Sequence, residues 1–278
     1  MGYEAKQKFN QAVIHLILII FSFVMIVPFL WMTLTAFKTV GESTSVSPFV
    51  IFPSQWITDN FATVWKNMDF FVLYMNTLLL IFFRVVAACL TATMAGYAFA
   101  RLKFRGRNLM FSLVLFQMMI PSQIFIIPQY LMISRMGMTN TIFALVFPGL
   151  VTAFGTFLLK TAYQGLPNSL EEAARIDGCT IFQTFLRIMM PLTRSSMVAL
   201  GIFTAVFAYK DMMWPLVVNS SASKMPLSAA LATMQGQYTS NYPQLMAAAL
   251  IACVPMIIIY LIFQKQFIEG IATSGGKL

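Results

Sequence analysis

Long stretches without a charged residue constrain the fold of this chain more than any other feature of its sequence. The run from Phe9 to Phe37 contains no Asp, Glu, Lys or Arg. Only 10% of the 278 residues are charged and 59% are hydrophobic, whereas an ordinary soluble domain has about 25% charged residues. A helix of about 20 apolar residues crosses a bilayer with its backbone polar groups satisfied internally. The sequence therefore predicts membrane-spanning helices and excludes a large soluble domain.

Six predominantly apolar stretches are predicted to be membrane spans. Their expected bounds are Val13–Phe37, Phe71–Ala100, Leu109–Ile133, Thr141–Tyr163, Ser196–Val218 and Gln244–Phe263. The predicted fold class is an all-α polytopic transmembrane bundle, and residues 1–278 are expected to form a single transmembrane domain. Within it, residues 1–69 would form the first span and an outer loop. Residues 70–265 would form the core of the bundle, including a loop at 164–191.

The distribution of Lys and Arg predicts the orientation, because basic residues near span ends are retained in the cytoplasm. With the N-terminus inside, the cytoplasmic segments hold twelve basic residues and the outer segments five, while Arg84 lies within the second span. Six spans then place both termini in the cytoplasm. The net charge of +9 therefore reflects topology. We expect contact with membrane lipid and none with nucleic acid, since no polar basic surface could follow a phosphate backbone.

The longest predicted cytoplasmic loop, between the fourth and fifth spans, has the most informative pattern. From Gly165 to Cys179 it predicts a short helix, in which Ser169 and Glu172 would form a capping box at the start. Gly178 would supply the left-handed residue that ends this helix. A second amphipathic segment, from Thr180 to Met190, is expected to end at Pro191.

This loop resembles the EAA motif of ABC importer permeases, in which Glu-Ala-Ala is followed by three residues, Gly, nine residues and Ile-x-Leu-Pro. The matching positions are Glu172, Ala173, Ala174, Gly178, Ile188 and Pro191. Met190 stands where the family favours Leu, which is an apolar exchange of similar volume. Weaker similarities in other segments are with the carbohydrate-importer permeases related to the maltose and glycerol-3-phosphate systems. These segments include Phe29-Leu30-Trp31-Met32, Asn76-Thr77, and Asp211 with Trp214-Pro215-Leu216.

The resemblance implies a type I ABC importer permease fold and a multi-pass protein of a bacterial or archaeal cell membrane that carries a sugar or oligosaccharide. The loop would be a coupling helix that docks in a cleft of a separate ATPase subunit. The residues expected to couple to the ATPase are Glu171, Glu172, Ala173, Ala174, Arg175, Asp177, Gly178, Ile188 and Pro191. The expected partners are a second homologous permease subunit, two copies of an ATP-binding subunit and an extracytoplasmic solute-binding protein.

No cofactor is expected in this chain. It has no Gly-x-x-x-x-Gly-Lys-Ser/Thr loop for nucleotide phosphates, so ATP and Mg would be bound by the partner ATPase. Its three cysteines show neither a disulfide framework nor a metal-binding spacing. The chain is therefore expected to be a transport subunit and not an enzyme.

Polar residues within the predicted spans are candidates for the substrate pathway. A charge at the bilayer centre costs about 2.5 to 3.5 kcal/mol, so Arg84 should face the interior of the bundle. Arg84 and Asp211 are the only opposite charges that the predicted spans bring near each other. They are predicted to pair, with substrate contact as the alternative for each. Five further candidates, each of which could instead make an interhelical hydrogen bond, are Asn76, Gln117, Gln123, Tyr209 and Asn219.

Three alternative functions differ in what they would require of the sequence. A permease of an amino-acid or peptide ABC importer is the nearest, because it would share the same loop. An ion-coupled secondary transporter would need internal repeats and acidic residues near span centres, and neither is found. A membrane-embedded enzyme would need converging nucleophile, acid or metal groups, and the sequence shows no such set.

Overall fold

The computed structural model describes residues 3–235 and 241–275, with side chains for residues 7–235 and 241–264. These ranges are nearly all helical and contain no β-strand, which confirms the all-α prediction. The α-helices are α1 (Tyr3–Ala36), α2 (Val40–Thr44), α3 (Asp59–Asn67), α4 (Phe70–Arg101), α5 (Arg107–Met119), α6 (Ile126–Arg135), α7 (Ile142–Val146), α8 (Ala153–Gln164), α9 (Ser169–Ile176), α10 (Ile181–Thr184), α11 (Met190–Leu192), α12 (Arg194–Lys210), α13 (Met213–Val218), α14 (Leu227–Thr233) and α15 (Tyr242–Gly275). Single 3₁₀ turns lie at Ser122–Phe125, Phe147–Gly149 and Ala222–Lys224, and a π-helix at Phe185–Met189 joins α10 to α11.

Three helical stretches of the described chain are long and apolar enough to cross a membrane unaided: Gln7–Ala36, Phe70–Arg101 and Tyr242–Gln264. Three further stretches qualify only if two bent helices are counted as one span. These pairs are Arg107–Met119 with Ser122–Arg135 at 100°, Ile142–Gly149 with Ala153–Gln164 at 49°, and Ile181–Leu192 with Arg194–Lys210 at 73°. The structure thus has between three and six candidate spans.

The third, fourth and fifth predicted spans are not straight helices, which corrects the simple picture given by hydropathy. Pro121 lies two residues after the end of α5, and Pro148 lies in the 3₁₀ turn after α7. Proline removes a backbone donor and breaks the α-helical hydrogen-bond pattern. The fifth predicted span, Ser196–Val218, is interrupted where α12 ends at Lys210 and Asp211 is extended. Such breaks are tolerated at membrane depth where protein groups bind the freed carbonyls.

The chain divides into two compact units, residues 1–69 with 233–256 and residues 70–232 with 257–278. All the coupling and pathway candidates lie in the second unit. The expectation of a single transmembrane domain stays a prediction.

Helix α4 is the centre of the second unit, where it packs along α8 and α12. Gly96 allows α4 to approach α8 closely, because a Cβ at this position would lie 2.8 Å from the Cβ of Leu159. On α8, a Cβ at Gly155 would lie 3.0 Å from the Cβ of Ala92. Small residues of this kind let membrane helices pack with their backbones close together, and they fix the position of α4 against α8.

In the first unit, the segment after α1 is ordered by two charged residues. Lys38 donates from Nζ to the carbonyl of Val50 at 2.7 Å and lies 4.1 Å from the centroid of the Trp31 ring. Its burial lowers its pKa, an effect that Glu42 partly opposes. Hydrogen bonds from Ser54 and Thr39 lower the pKa of Glu42 to about 2. Glu42 therefore stays ionised at neutral pH and holds this segment together.

Candidate functional site

Helix α9 carries the Glu-Ala-Ala residues, and its start differs from the sequence prediction. Its N-cap is Asn168, which has helical dihedral angles and makes no side-chain cap. Ser169 is already the first helical residue, so the capping box predicted from Ser169 and Glu172 is wrong. A capping box occurs instead at α10, where Thr180 Oγ1 accepts from the N–H of Gln183 at 3.3 Å.

The end of α9 agrees with the prediction. Gly178 has a φ of +76°, which is the left-handed conformation that glycine adopts without steric cost. Its N–H donates to the carbonyl of Arg175 at 3.0 Å, and the N–H of Cys179 donates to that of Ala174 at 2.9 Å. This pair of bonds is the Schellman motif, and it turns the chain sharply from α9 towards α10.

The predicted coupling residues of α9 divide between two faces. Glu171 is half-buried and Ala174 is only 1% exposed, so these two side chains point into the protein. The exposed coupling residues are Glu172, Ala173, Arg175, Asp177 and Gly178. Ile176, which was not predicted, is 86% exposed, and a large apolar side chain in that state is typical of an interaction surface. We call Glu172, Ala173, Arg175, Ile176 and Asp177 the outer face of α9.

Arg101, the last residue of α4, anchors this region. Its Nη2 donates to the carbonyls of Tyr163 and Leu166, the second at 2.5 Å, and its Nη1 donates to the side chain of Asn168. The final carbonyls of a helix have no partner within that helix, so Arg101 completes the end of α8. In the sequence Arg101 was interpreted only as a marker of topology.

Glu171 is bound to α4 by two side chains one helical turn apart. The hydroxyl of Tyr97 donates to Glu171 Oε1 at 3.0 Å, and Nη1 of Arg101 lies 3.9 Å from Glu171 Oε2. The Tyr97 ring contacts the rings of Tyr163 and Phe185, with centroid distances of 5.5 and 5.0 Å. We call the contacts of Tyr97 and Arg101 with Glu171 the Glu171 latch.

The last two predicted coupling residues lie away from the outer face of α9. Ile188 is partly buried and packs against the apolar cluster that contains Leu159 and Phe185. Pro191 is exposed and lies within α11, so the helix does not stop there as predicted but continues to Leu192. A proline is accommodated because the preceding turn is π-helical, with the N–H of Met190 donating to the carbonyl five residues back.

In the middle of α4, Arg84 confirms the predicted pairing. Its Nη1 lies 2.9 Å from Oδ2 of Asp211, and the two side chains are 9% and 24% exposed. Nε and Nη2 of Arg84 both donate to the carbonyl of Leu145, at 3.1 and 2.6 Å. A Cβ at Gly149 would lie 2.9 Å from Cδ of Arg84, so a larger residue there would displace the Arg84 side chain.

Trp214 also binds α7, the short helix before the break in the fourth predicted span. Its Nε1 donates to the carbonyl of Ala144 at 2.8 Å, next to the carbonyl that Arg84 binds. Two successive carbonyls of α7 are therefore bound from α4 and α13. These bonds connect the interrupted parts of the fourth and fifth predicted spans to each other and to α4. They are made by Arg84, Asp211 and Trp214.

The other pathway candidates fall into two groups. Asn76 donates from Nδ2 to the carbonyls of Ser223 and Met225, at 2.9 and 3.0 Å, and Asn219 donates to that of Lys224 at 2.7 Å. These two amides hold the segment that follows α13. Gln117 and Gln123 are exposed, and Tyr209 is half-buried on α12. Their assignment to a pathway stays a prediction.

A groove of about 910 Å³ lies beside Arg84. Its walls come from α5, α8 and α12 and from the break between α7 and α8. Among its lining residues are four phenylalanines, the hydroxyl residues Ser122, Thr152 and Thr204, and the single amide Gln117. The phenylalanines are Phe154, Phe157, Phe203 and Phe207. Arg84 is the one charged lining residue in the described part of the chain, and Asp211 neutralises it.

Comparison with known protein families identifies the class of this chain. Residues 88–272 match the family described as "Binding-protein-dependent transport system inner membrane component". The chain belongs to this family. The match covers the C-terminal part of α4, all of α5 to α14 and most of α15, and thus the loop at 164–191 and the Glu171 latch.

Curated relatives match this chain over most of their length. The arabinooligosaccharides transport system permease protein AraQ of Halalkalibacterium halodurans is 33% identical over 92% of both chains. The diacetylchitobiose uptake system permease protein NgcG of Streptomyces coelicolor is 30% identical over 95% of this chain and 88% of NgcG. The sn-glycerol-3-phosphate permease protein UgpE of Salmonella typhi is 27% identical over 94% and 95%.

Two solved structures share the fold. One is a bacterial ABC transporter involved in the import of the acidic polysaccharide alginate, with a TM-score of 0.79 and 21% identity over 96% of this chain and 99% of that one. The other is the bacterial alginate ABC transporter in complex with an alginate pentasaccharide-bound periplasmic protein, with a TM-score of 0.63 and 15% identity over 92% and 94%. This chain therefore has the fold of an ABC importer permease.

Proposed function

We propose that this chain is the permease subunit of a carbohydrate ABC importer and couples sugar passage to ATP hydrolysis through the outer face of α9. The main support for the coupling role is that α9 is held firmly by the rest of the chain while its outer face stays exposed. Arg101, the Schellman motif and buried Ala174 hold the helix, while Ala173 and Ile176 remain exposed. The names of AraQ and NgcG support an oligosaccharide as the cargo.

The proposed partners are a second homologous permease subunit, two copies of an ATP-binding subunit and an extracytoplasmic solute-binding protein. ATP and Mg would bind to the ATPase subunits. The family description names a binding-protein-dependent system, and one structural relative is in complex with a periplasmic protein. Both support this assembly.

The groove beside Arg84 is the proposed place of sugar passage in this subunit. Sites for small molecules combine apolar and aromatic walls with a few placed polar groups, and four phenylalanines with Gln117, Ser122, Thr152 and Thr204 provide that combination. Neutral hydroxyl-rich cargo suits a groove whose one cation, Arg84, is already paired.

The cargo class can be tested on the assembled importer. The chain is purified with its permease and ATPase subunits, placed in nanodiscs, and ATP hydrolysis is measured with solute-binding proteins from the same cells. The probes are arabinotriose, N,N′-diacetylchitobiose, glycerol 3-phosphate, glutamine and trialanine. We expect stimulation by a carbohydrate probe only. Stimulation by glutamine or trialanine alone would replace the carbohydrate assignment by the amino-acid or peptide alternative.

We further propose six spans with both termini in the cytoplasm. The bent pairs Arg107–Met119 with Ser122–Arg135 and Ile142–Gly149 with Ala153–Gln164 would each be one crossing, and the fifth crossing would begin near Ser196, after the loop at 164–191. In a variant without Cys89, Cys179 and Cys253, single cysteines at Thr58 and Ser221 should react with an impermeant maleimide added to intact cells. A cysteine at Ser169 should react only after the membrane is opened. All three positions are exposed, so a difference in labelling reports sidedness and not burial. Labelling of Ser169→Cys from outside would contradict both the topology and the docking role of α9.

A further inference from the structure

Glu171 lies beside the docking residues in sequence but is bound inward. Its two carboxylate oxygens face Tyr97 and Arg101 of α4, and its side chain is 18% exposed. Glu172, the next residue, is exposed. Adjacent carboxylates of the same helix thus point in different directions, and only Glu172 is free to meet a partner subunit.

Contacts other than those of Glu171 mark both ends of α9. Arg101 binds the carbonyls of Tyr163 and Leu166 before the helix, and Gly178 closes it afterwards through backbone bonds. What Glu171 adds is a connection between α9 and one particular span. Hydrogen bonds to a charged group are stronger than neutral ones, so this connection is stiff.

Helix α4 connects the latch to the breaks in the neighbouring spans. Arg101 and Arg84 lie on the same continuous helix, 17 residues apart in sequence, which corresponds to about 25 Å at 1.5 Å per residue. Arg84 binds Leu145 and Asp211 at those breaks and lines the groove. A displacement of α9 can therefore be transmitted to the groove through one continuous helix, α4.

We propose that Tyr97 and Arg101 are positioning residues that pass the displacement of α9 to α4 through Glu171, so that ATP hydrolysis moves the walls of the groove. This inference rests on the proposed function, in which the outer face of α9 docks on the ATPase. With the latch open, the ATPase stays bound and hydrolyses ATP, but less of that hydrolysis is converted into transport.

The test measures carbohydrate transported per ATP hydrolysed in proteoliposomes that contain the assembled importer. The cargo is the carbohydrate that stimulates hydrolysis in the panel described above. Tyr97→Phe removes one latch contact and Glu171→Ala removes both. The ratio should fall about tenfold in Tyr97→Phe, as expected for the loss of a hydrogen bond to a charged group, and at least as far in Glu171→Ala. Glu171→Gln keeps an acceptor for the Tyr97 hydroxyl, so its ratio should lie between those of Glu171→Ala and the unchanged protein.

Tyr163→Phe is the matched control. It removes a hydroxyl from the same aromatic cluster, one that lies 2.5 Å from Thr93 Oγ1 and does not contact Glu171. Its transport ratio should equal that of the unchanged protein. If Tyr163→Phe lowers the ratio as much as Tyr97→Phe does, general loosening of the cluster explains the effect and the latch is wrong.

Co-purification of the ATPase subunits separates this inference from the proposed function. If the unchanged chain retains no ATPase subunit, the proposed function fails. If the unchanged chain retains them and Tyr97→Phe or Glu171→Ala loses them, the latch positions α9 for docking and the proposed transmission is overturned. Equal retention with an unchanged ratio also overturns it. Equal retention with a reduced ratio supports the latch.

Discussion

Replacing Arg84 with alanine should strongly lower the stability of this chain. The change leaves Asp211 without its cation and removes both donors from the carbonyl of Leu145. Breaking one side of a buried ion pair costs about 3 to 5 kcal/mol. We expect Arg84→Ala to reduce membrane abundance severely and to lower the unfolding temperature of the protein purified in detergent.

Asp211→Asn provides the graded comparison. It removes the negative charge but keeps an oxygen that can accept from Arg84, while the Leu145 carbonyl retains both of its donors. Its loss should therefore be smaller than that of Arg84→Ala. Arg135→Ala is the control, because Arg135 is an exposed arginine at the end of α6. Abundance and unfolding temperature should be unchanged by it.

Exchange of the two charges distinguishes this geometry from a simple ion pair. In Arg84→Asp with Asp211→Arg, the carboxylate at position 84 would face the carbonyl of Leu145, an acceptor that now lies 2.6 Å from Nη2. Two acceptors repel each other, so we expect the exchange to restore nothing. Recovery of abundance in the exchanged protein would show that the bond to Leu145 contributes little.

The sequence predicted the straight elements of this fold well. The second span was expected at Phe71–Ala100, and α4 runs from Phe70 to Arg101, because apolar residues dominate the stretch and Arg84 is its single charge before the last residue. The bends were not predicted. A hydropathy window averages over Pro121 and Pro148 and cannot show that the chain turns by 100° or 49° near them, since the angle depends on the helices packed alongside.

Within the site, sequence patterns correctly predicted the end of α9, which depends on local backbone conformation. They did not predict its start, which depends on contacts with residues distant in sequence. Gly178 ends α9 as predicted, because its left-handed conformation is a local property. The capping box at Ser169 was wrong, because the chain before α9 is held by Arg101 from α4 and the helix begins at Ser169 itself. Tyr97 and Arg101 contact Glu171 across 74 and 70 positions of sequence, and no local pattern indicates such contacts.

The same substitution, alanine to glutamate, should affect protein stability differently at the two alanines of the Glu-Ala-Ala motif. Ala173 lies on the outer face of α9, whereas Ala174 is 1% exposed beneath it. Ala173→Glu adds a charge in water, so the abundance and unfolding temperature of the chain should not change. Ala174→Glu places a carboxylate without a partner inside the protein, where an unpaired charge is strongly unfavourable. Its abundance should fall.

Ala173→Glu should leave the stability of the chain unchanged but weaken its binding to the ATPase subunits, because the chain is folded and its docking surface is altered. A larger, charged side chain at a close-packed contact separates the surfaces around it. Loss of one interface hot spot costs about 2 kcal/mol or more, which is about thirtyfold in affinity. We expect the ATPase subunits to be lost from Ala173→Glu during purification and uptake to stop, while Ala173→Ser, with a small side chain, retains both. Normal ATPase retention and uptake in Ala173→Glu would mean that the outer face of α9 does not meet the ATPase.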